Sequence, residues 1–590
     1  MDLKRINKQI AEAAAKLPVA LCKSDPKSLD LTSITTLQQG VTSSANLIES
    51  VNTAIKLLIE DNQNLRNEVA ELKGEQGKPD IRPQSTPKDN DKDDKNDDDD
   101  NDDTSTQDSP NNKKTEISSE KERNSDKDKP VKKRRTNEEI TITKTEIIVL
   151  DPSVLPADAV FKGYQTYLVQ DIVFELNNIE YKREEYYSAS ENRTYVAEIP
   201  IMCNGSHFGP NVRAIILDLY NHCNMTQPAI HSFLTNTCGI KIANSTISRL
   251  LIDNVDIFHQ EKTDIVMAGF AATNYEHLDD TGARVNGQNW YVHALCSPYF
   301  SAYFTREHKD RLTILKILSQ EMVCHIFNED TYKLMNTMEV SDKTMLLLQS
   351  VLPQKIITTD ELTEILQQLF PESHATSKKH IIEASAIIWY RQLPHAIQIM
   401  VCDDAPQFKQ ITEIIALCWV HAARHYKKLH PIIPEHKQLT DDFITSLWEY
   451  YHKLKNYKAN PQSDMVAVLS AEFDTLFSIV TGYNELDERI AKTRSQKESL
   501  LVVLEHPEVP LHNNPAELAA RVQARKRDIS LHTINTKGTE AKDTMMTVVH
   551  TAIKLGVSAF DYIKDRISGN MQMLSLAELI RMKASFAPSG

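Results

Sequence analysis

The sequence predicts a multidomain α/β protein in which a mixed sheet carries long helical insertions. At 590 residues, the chain exceeds what one hydrophobic core usually spans. Runs rich in β-branched and aromatic residues at 275–306 and 397–402 alternate with helical patterns, as is typical of α/β folds. A polar segment, 74–137, separates a helical N-terminal region from these elements. We therefore expect a coiled coil, a disordered linker, two small domains and a larger α/β core.

The N-terminal region, 1–73, contains a heptad pattern of about four repeats. Its two core registers hold Ile48, Ile55, Asn62 and Val69, and Val51, Leu58, Leu65 and Leu72. This pattern predicts a coiled coil, and a polar residue in the first register favours a defined two-stranded pairing. We expect a homodimer or a higher synaptic oligomer; the alternative is a helix that packs on its own domain.

Residues 74–137 almost lack apolar side chains, and 75–128 hold 18 acidic and 10 basic residues. Such a segment cannot bury enough surface to offset its ordering entropy, which predicts a disordered acidic linker. Its basic end, Lys132–Arg135, is compatible with phosphate contact or a localisation signal. The alternative is a solvated end of the linker, which has the same composition. About half of the net charge of −15 lies in this segment, so any DNA-binding surface must come from local clusters.

Two small units are predicted next. Alternating β-type runs at 138–205 predict a small β-rich domain. Three short helical patterns within 206–260 then have helix-turn-helix spacing. The third would present four side chains to a major groove: Ser245, Thr246, Ser248 and Arg249. Any three-helix packing gives the same spacing, so a purely structural unit is the alternative.

The main core is predicted at 261–570, with helical insertions at about 320–395 and 431–505 and a tail at 571–590. Five of its acidic residues accompany predicted elements: Asp279 and Asp280 lie on or beside a strand, Asp403 and Asp404 end another, and Glu517 opens a helix. An unpaired carboxylate beside a buried strand is costly. Two or three carboxylates can hold two Mg²⁺ ions for displacement at phosphorus, although most acidic residues are solvated surface groups.

The cysteine spacing and the hydropathy argue against a disulfide-rich protein, a four-cysteine zinc protein and a membrane-spanning protein. The eight cysteines contain no CxxC, which argues against a disulfide framework and a four-cysteine zinc site. No apolar run approaches ~20 residues, so we expect no membrane span and a cytoplasmic, nucleoid-associated protein.

Three segments resemble the signature blocks of the insertion sequence 66 family of DDE transposases: Leu278–Gly287, Cys418–Arg424 and Asn513–Glu517. The segment Ala552–Ile563 is similar to the closing segment of that family. The chain differs from the family pattern in three ways. Leu518 stands where the family usually has arginine, and the cysteine-rich zinc module of the family is missing. The 320–395 segment is also longer than the family would predict.

The resemblance implies a ribonuclease H-like catalytic core whose triad binds two Mg²⁺ or Mn²⁺ ions. The implied catalytic and metal-binding residues are Asp279, Asp403 and Glu517, with Asp280, Asp404 and His421 as supporting residues. Asp404 also fits the second position, although Asp403 is nearer the strand. Four basic residues after Glu517 are further candidates for DNA contact: Arg521, Arg525, Lys526 and Arg527.

The implied function is that of an insertion-sequence transposase that binds double-stranded DNA at element ends and target, and cleaves and joins it. An inactive transposase-derived DNA-binding regulator is the alternative. A purely structural coiled-coil scaffold is a third reading, which predicts DNA affinity without steep salt dependence.

Overall fold

The computed structural model describes residues 31–72, 141–151, 156, 159–200, 206–253, 255–352, 355–370 and 375–586. The predicted linker at 74–137, with its basic end, lies outside these residues. The chain divides into two units, one of 1–93, 181–231 and 242–590, and one of 94–180 and 232–241.

Helices dominate the described chain. Before the central sheet and up to its last strand they are α1 (Leu31–Leu72), α2 (Pro210–Asn221), α3 (Gln227–Ser232), α4 (Asn244–Leu250), α5 (Asp256–Ala272), α6 (Arg311–Leu318), α7 (Glu329–Thr337), α8 (Asp342–Val351), α9 (Thr359–Leu369) and α10 (Ala375–Arg391). After it they are α11 (Trp419–Lys427), α12 (Pro434–Ala459), α13 (Ser463–Leu476), α14 (Asn484–Arg494), α15 (Lys497–Leu500), α16 (Asn514–Ser530), α17 (Thr536–Lys554), α18 (Ala559–Ser568) and α19 (Leu576–Ser585). No helix in these described ranges is both long and apolar enough to cross a membrane.

The strands form one five-stranded sheet and two small pairs. They are β1 (Glu185–Ser188), β2 (Arg193–Val196), β3 (Tyr275–Val285), β4 (Gln288–Cys296), β5 (Ser301–Arg306), β6 (Cys324–His325), β7 (Ile357–Thr358), β8 (Ile399–Cys402) and β9 (Ile414–Leu417). The large sheet has the order β5-β4-β3-β8-β9, in which β3, β4 and β5 are antiparallel and β8 and β9 run parallel to β3. A mixed α/β fold with three consecutive strands is therefore confirmed.

One face of this sheet is covered by α16 and α17. Ala294 of β4 packs with Ala516, Ala520 and Met546 in a closely fitted cluster of small side chains. Because alternate strand residues face opposite sides, the strand partner of Ala294 shares this face. That partner is Asp279, so the acidic residue points to the side that α16 covers.

Helices occupy both predicted insertions. The helices α7 to α10 lie between β5 and β8, and α12 to α15 lie between β9 and α16. The second group has its own aromatic core, in which Trp419 lies 6.2 Å from Phe473 and 6.4 Å from Phe477 between ring centroids. The indole N–H of Trp419 donates to the Leu500 carbonyl at 2.8 Å, which satisfies the one polar atom of this buried ring.

Helix α1 contacts the second insertion through polar side chains. The Asn46 amide donates to the Gly482 carbonyl at 2.9 Å and accepts from the Asn484 N–H at 3.0 Å. The Glu49 carboxylate accepts from the Ile433 N–H at 2.8 Å, and Glu49 is 1% exposed. Buried backbone groups are thus satisfied by side chains of a distant helix.

The heptad residues of α1 face away from these contacts. Asn46 and Ile55 are nine residues apart, which is roughly two and a half turns and hence opposite faces. Five members of the heptad pattern are exposed by 39% or more: Ile48, Val51, Ile55, Leu58 and Leu65. The helix therefore packs on its own chain with one face and leaves its apolar seam open on the other.

The β-rich unit at 138–205 stays a prediction, and the described part of this segment contains few strands. Within its described residues, the only strands are β1 and β2, which form a hairpin. The other apolar runs have no strand partner in the described chain, and side chains such as Ile148 and Tyr167 are 94% and 92% exposed. Alternation of residue types favours a strand only when another strand or a core covers one face.

The three predicted helices of 206–260 occur as α2, α3 and α4, with altered bounds. Helix α3 ends early because Phe233–Thr237 forms a π-helical turn. The Thr226 hydroxyl accepts from the Ala229 N–H at 3.3 Å at the start of α3, as expected for a cap.

Candidate active site

Two of the predicted acidic residues lie at neighbouring positions of two parallel strands, one within β3 and one directly after β8. The register pairs His277 of β3 with Val401 of β8, and two residues farther along each chain are Asp279 and Asp403. Neighbouring strands lie about 4.8 Å apart. The sheet therefore places these two carboxylates together, and Asp403 follows directly after the last residue of β8.

The third predicted residue, Glu517, lies in the first turn of α16. Its carboxylate is 3.8 Å from the Cys418 thiol, which begins α11, and the Cys418 N–H donates to the Cys402 carbonyl at 3.0 Å. Because Cys402 precedes Asp403, these contacts bring Glu517 to the end of β8 where the aspartates lie.

Asn513 joins the strand of Asp279 to the helix of Glu517. Its amide donates to the Leu278 carbonyl at 3.0 Å, and its Oδ1 lies 3.0 Å from His277 Nδ1. An amide oxygen can only accept, so His277 donates from Nδ1. The Asn513 N–H also lies 3.2 Å from Cys418 Sγ, and its carbonyl accepts from the Glu517 N–H at 3.0 Å. This fully buried residue thus links three segments of the site, since its side chain binds β3 and its backbone contacts Cys418 and Glu517.

Burial and like charges control protonation here. Burial, together with the charges of Asp403, Asp280 and Glu517, raises the pKa of Asp279 to about 7. Burial also raises the pKa of Asp403. Among the described residues, no lysine or arginine forms an ion pair with either Asp279 or Asp403. Oxygen donors that lack a protein cation fit a hard divalent ion such as Mg²⁺.

The neighbouring aspartates are instead bound by basic and amide groups. Asp280 accepts from the Gln407 amide at 2.7 Å and lies 3.6 Å from the Lys309 ammonium. Asp404 lies 2.8 Å from Lys409 and 3.4 Å from Lys492. Burial alone would raise the pKa of Asp404, but the hydrogen bond from Lys409 and the charges of both lysines lower it. These contacts favour Asp279 and Asp403 over their neighbours as cation ligands.

Glu517 has two basic neighbours on α11. Its carboxylate is 3.1 Å from the Arg424 guanidinium and 3.3 Å from His421 Nδ1. The Nδ1 atom of His421 is buried and has no hydrogen-bond partner within the described chain. Ligand atoms of Cys418, His421 and Glu517 lie within 4.8 Å of one another, so this group can also hold a metal ion. Leu518, where the family usually has arginine, is 55% exposed.

The pKa of Asp279 leads to a prediction for metal binding. Below pH about 7 a cation must displace the proton of this carboxyl, so the Mn²⁺ affinity is expected to rise about tenfold per pH unit up to about 7 and then level off. Without metal, the native state holds this proton while the unfolded chain does not, so stability falls as pH rises from about 4 to about 7. Calorimetric titration with Mn²⁺ from pH 5.5 to 8.5 checks this; an affinity independent of pH would contradict it.

The predicted DNA-contact residues are not equally accessible. Ser245 and Arg249 of α4 are exposed, whereas Thr246 and Ser248 are half-buried, and the Ser248 hydroxyl donates to Gln227 at 2.8 Å. Ser248 therefore supports the contact between α4 and α3.

The basic cluster on α16 is also divided. Arg521 and Arg525 are exposed, and Arg527 donates to the Gly282 carbonyl. Lys526 is 2% exposed, and its ammonium lies against the carbonyl and ring of Tyr220. Burial lowers the pKa of Lys526 to about 7. This lysine is therefore not placed for contact with DNA, since a helix buries one face and Lys526 lies on it.

Sequence reasoning gave no role to Asn513, Arg424, Lys309 or Gln407. Their partners lie between 93 and 236 residues away along the chain, except that Lys309 and Asp280 are 29 residues apart. A motif can place Asn513 and Arg424 near a site, but no local pattern identifies which atom each one binds.

The fold and the site define a mixed α/β protein in which a sheet and a helix bring acidic residues from three distant segments together. The profile of the family described as "Transposase IS66 family" matches residues 389–541. A curated relative, "Uncharacterized protein y4jO" of Sinorhizobium fredii (strain NBRC 101917 / NGR234), is 30% identical over 321 residues, which cover 54% of this chain and 99% of the relative. No solved structure matches the chain. The chain belongs to the IS66 family of transposases, and its general activity is that of a transposase.

Proposed function

We propose that this protein cleaves DNA at element ends and transfers the strands through a DDE triad of Asp279, Asp403 and Glu517. The observation that carries the proposal is a pair of partly buried aspartates that form no ion pair with a lysine or arginine of the described chain, beside a glutamate brought in by α16. The sheet order, with three antiparallel strands followed by two parallel ones, supports a ribonuclease H-like core.

The triad residues are positioned in two ways. Asp279 lies within β3 and Asp403 directly follows β8, which limits the movement of both. Glu517 is positioned through Asn513 and Cys418. Two Mg²⁺ or Mn²⁺ ions held by these carboxylates would supply activation of the attacking oxygen and stabilisation of the leaving oxygen. Water or a 3′-hydroxyl is the nucleophile, so no covalent enzyme intermediate is required.

DNA binding is proposed for two exposed groups of side chains. On α4, Ser245 and Arg249 are exposed, and we interpret α2 to α4 as the predicted helix-turn-helix unit. On α16, Arg521 and Arg525 are exposed beyond Glu517, where they can contact phosphates near the triad.

The test is a cleavage and strand-transfer assay with the full chain and DNA from the ends of its own element. With Mg²⁺ or Mn²⁺ we expect nicked products with 3′-hydroxyl ends and joined products on target DNA, and EDTA should remove both. A wild-type chain that binds the ends tightly and gives no metal-dependent product would contradict the proposed enzyme activity.

An inactive DNA-binding regulator is the second candidate, and one contact favours it. Arg424 lies 3.1 Å from Glu517 and competes with a metal ion for its carboxylate. Calorimetry with Mn²⁺ on the wild-type chain and on Glu517→Gln separates the two functions. Binding that is absent, or unchanged by the substitution, would support the regulator.

We also propose that the exposed seam of α1 pairs with a second copy of the chain. Its polar face is already occupied by the second insertion, while Leu58 on the seam is 62% exposed. Leu58→Asp should convert a dimer to a monomer in sedimentation equilibrium. Leu57→Asp, on the other face and also exposed, is the matched control and should leave the dimer intact. A wild-type monomer at micromolar concentration would contradict this pairing.

A further inference from the structure

A cleft lies on the opposite side of β3 from Glu517 and next to the triad. Asp280 pairs with His293, whereas Asp279 pairs with Ala294, so the two aspartates face opposite sides of the sheet. Asp280 is bound by Lys309 and Gln407, which both line this cleft. The cleft therefore begins one residue away from a proposed catalytic acid.

The cleft is wide and its walls are basic and aromatic. It encloses about 410 Å³, which is within the range of ligand-binding sites. Its lining includes Tyr291, the three basic residues Lys309, Arg311 and Lys379, and the two acidic residues Asp310 and Glu383. Basic residues are thus in excess here, in a chain whose net charge is −15.

Both acidic residues of the cleft are already satisfied. Asp310 caps α6 by accepting from the Thr313 N–H at 2.9 Å. Glu383 is 2% exposed and lies 2.7 Å from Arg311 and 3.7 Å from Lys379. The acids therefore hold the basic side chains in place instead of presenting negative charge to a ligand.

Two lysines in the cleft remain accessible. The side chains of Lys309 and Lys379 are 48% and 56% exposed. The Lys309 ammonium lies 5.2 Å from the centre of the Tyr291 ring, so a cation and an aromatic surface are presented together. This combination of lysine and aromatic side chains suits a nucleic-acid strand, whose phosphates bind cations and whose bases stack on rings.

We propose that this cleft binds the sugar-phosphate backbone of the DNA strand next to the scissile bond, with Lys309 and Lys379 as the phosphate contacts. The proposal rests on the proposed transposase function and names the surface that the strand follows. Gln407 links it to the triad, because it binds Asp280 and lies four residues after Asp403.

The test measures DNA affinity by fluorescence anisotropy over a range of salt concentrations, with Ca²⁺ in place of Mg²⁺, on the full chain and an element-end duplex. For Lys309→Ala/Lys379→Ala we expect the slope of log affinity against log salt to lose about 2, since each phosphate contact contributes about 0.9. Lys379→Ala alone, which leaves Asp280 untouched, should lose about 1.

The matched control is Lys333→Ala/Lys453→Ala. These lysines are 72% and 55% exposed, and each pairs with a carboxylate at 3.0 Å outside the cleft. An unchanged slope in the cleft variants, or an equal loss in the control, would overturn the proposal. A failure of the proposed triad is distinguishable from a failure of the proposed cleft. If Asp279→Asn still cleaves DNA while the cleft variants bind DNA weakly, the result supports the cleft as a DNA-binding surface and contradicts the triad assignment.

Discussion

Asp403→Asn is expected to lower DNA cleavage by about 10³-fold, whereas Asp404→Asn should lower it less than tenfold. The two residues are adjacent and both partly buried, yet they differ in their partners. Asp403 accepts from the Ala405 N–H at 3.0 Å and has no ion pair with a described residue. Loss of a preorganised charged group at a reaction centre costs about 10²–10³ in rate. Asp404 forms ion pairs with Lys409 and Lys492, and these lysines compete with a metal ion for its carboxylate.

The measurement is single-turnover cleavage of end-containing DNA with Mn²⁺ in excess, together with calorimetry of Mn²⁺ binding. Asp403→Asn should weaken metal binding as well as chemistry. Asp404→Asn should mainly lower stability, because it leaves two lysines without their acid partner. Equal effects of the two substitutions, or a larger effect of Asp404→Asn, would contradict the assignment of Asp403.

The choice between these residues shows where sequence reasoning ends. Proximity to the strand favoured Asp403, and β8 ends at Cys402, directly before that residue. The stronger argument is the ion pair between Asp404 and Lys492, which are 88 residues apart. No periodicity or local propensity encodes such a contact, because it depends on how the second insertion packs.

Helix α1 and the 138–205 region also show that local sequence patterns do not reveal contacts with distant parts of the chain. The heptad pattern of α1 predicted a long helix with an apolar seam, and that helix is present. The pattern could not reveal the polar contacts of Asn46 and Glu49, since hydrogen bonds to distant backbone leave no periodic signal. At 138–205 the β-type composition predicted strands, but composition does not show whether a partner strand is present. Most of the β-type runs in this segment have no partner strand within the described chain.

The burial of Lys526 has a similar cause. A basic cluster on α16 predicted a surface, but a helix that packs on a sheet must turn one side inward. Arg525 and Lys526 are adjacent in sequence and point in different directions, so one is exposed and the other is 2% exposed. Charge alone did not distinguish them, whereas the packing of Ala516, Ala519 and Ala520 on the same helix indicates the buried face.

Asn513→Ala is expected to be the most damaging substitution outside the triad. It removes the hydrogen bonds to His277 and to the Leu278 carbonyl, and leaves both groups buried without a partner. An unsatisfied buried polar group costs about 1–3 kcal/mol, so we expect a loss of about 2–4 kcal/mol in unfolding free energy. Cleavage should fall by at least about 10²-fold, because a displacement of about 1 Å at a reaction centre has that effect.

The matched control is Asn514→Ala, at the adjacent exposed residue, which should change stability by less than about 0.5 kcal/mol. A purely structural role for Asn513 is distinguished by metal affinity, measured at a temperature at which circular dichroism shows the variant to be folded. Because Asn513 joins the strand of Asp279 to the helix of Glu517, the folded variant should bind Mn²⁺ at least about tenfold more weakly. A folded Asn513→Ala protein with wild-type Mn²⁺ affinity and wild-type cleavage would show that Glu517 does not depend on this contact. In that case the link through Cys418, 3.8 Å from the Glu517 carboxylate, is sufficient to hold α16 in place.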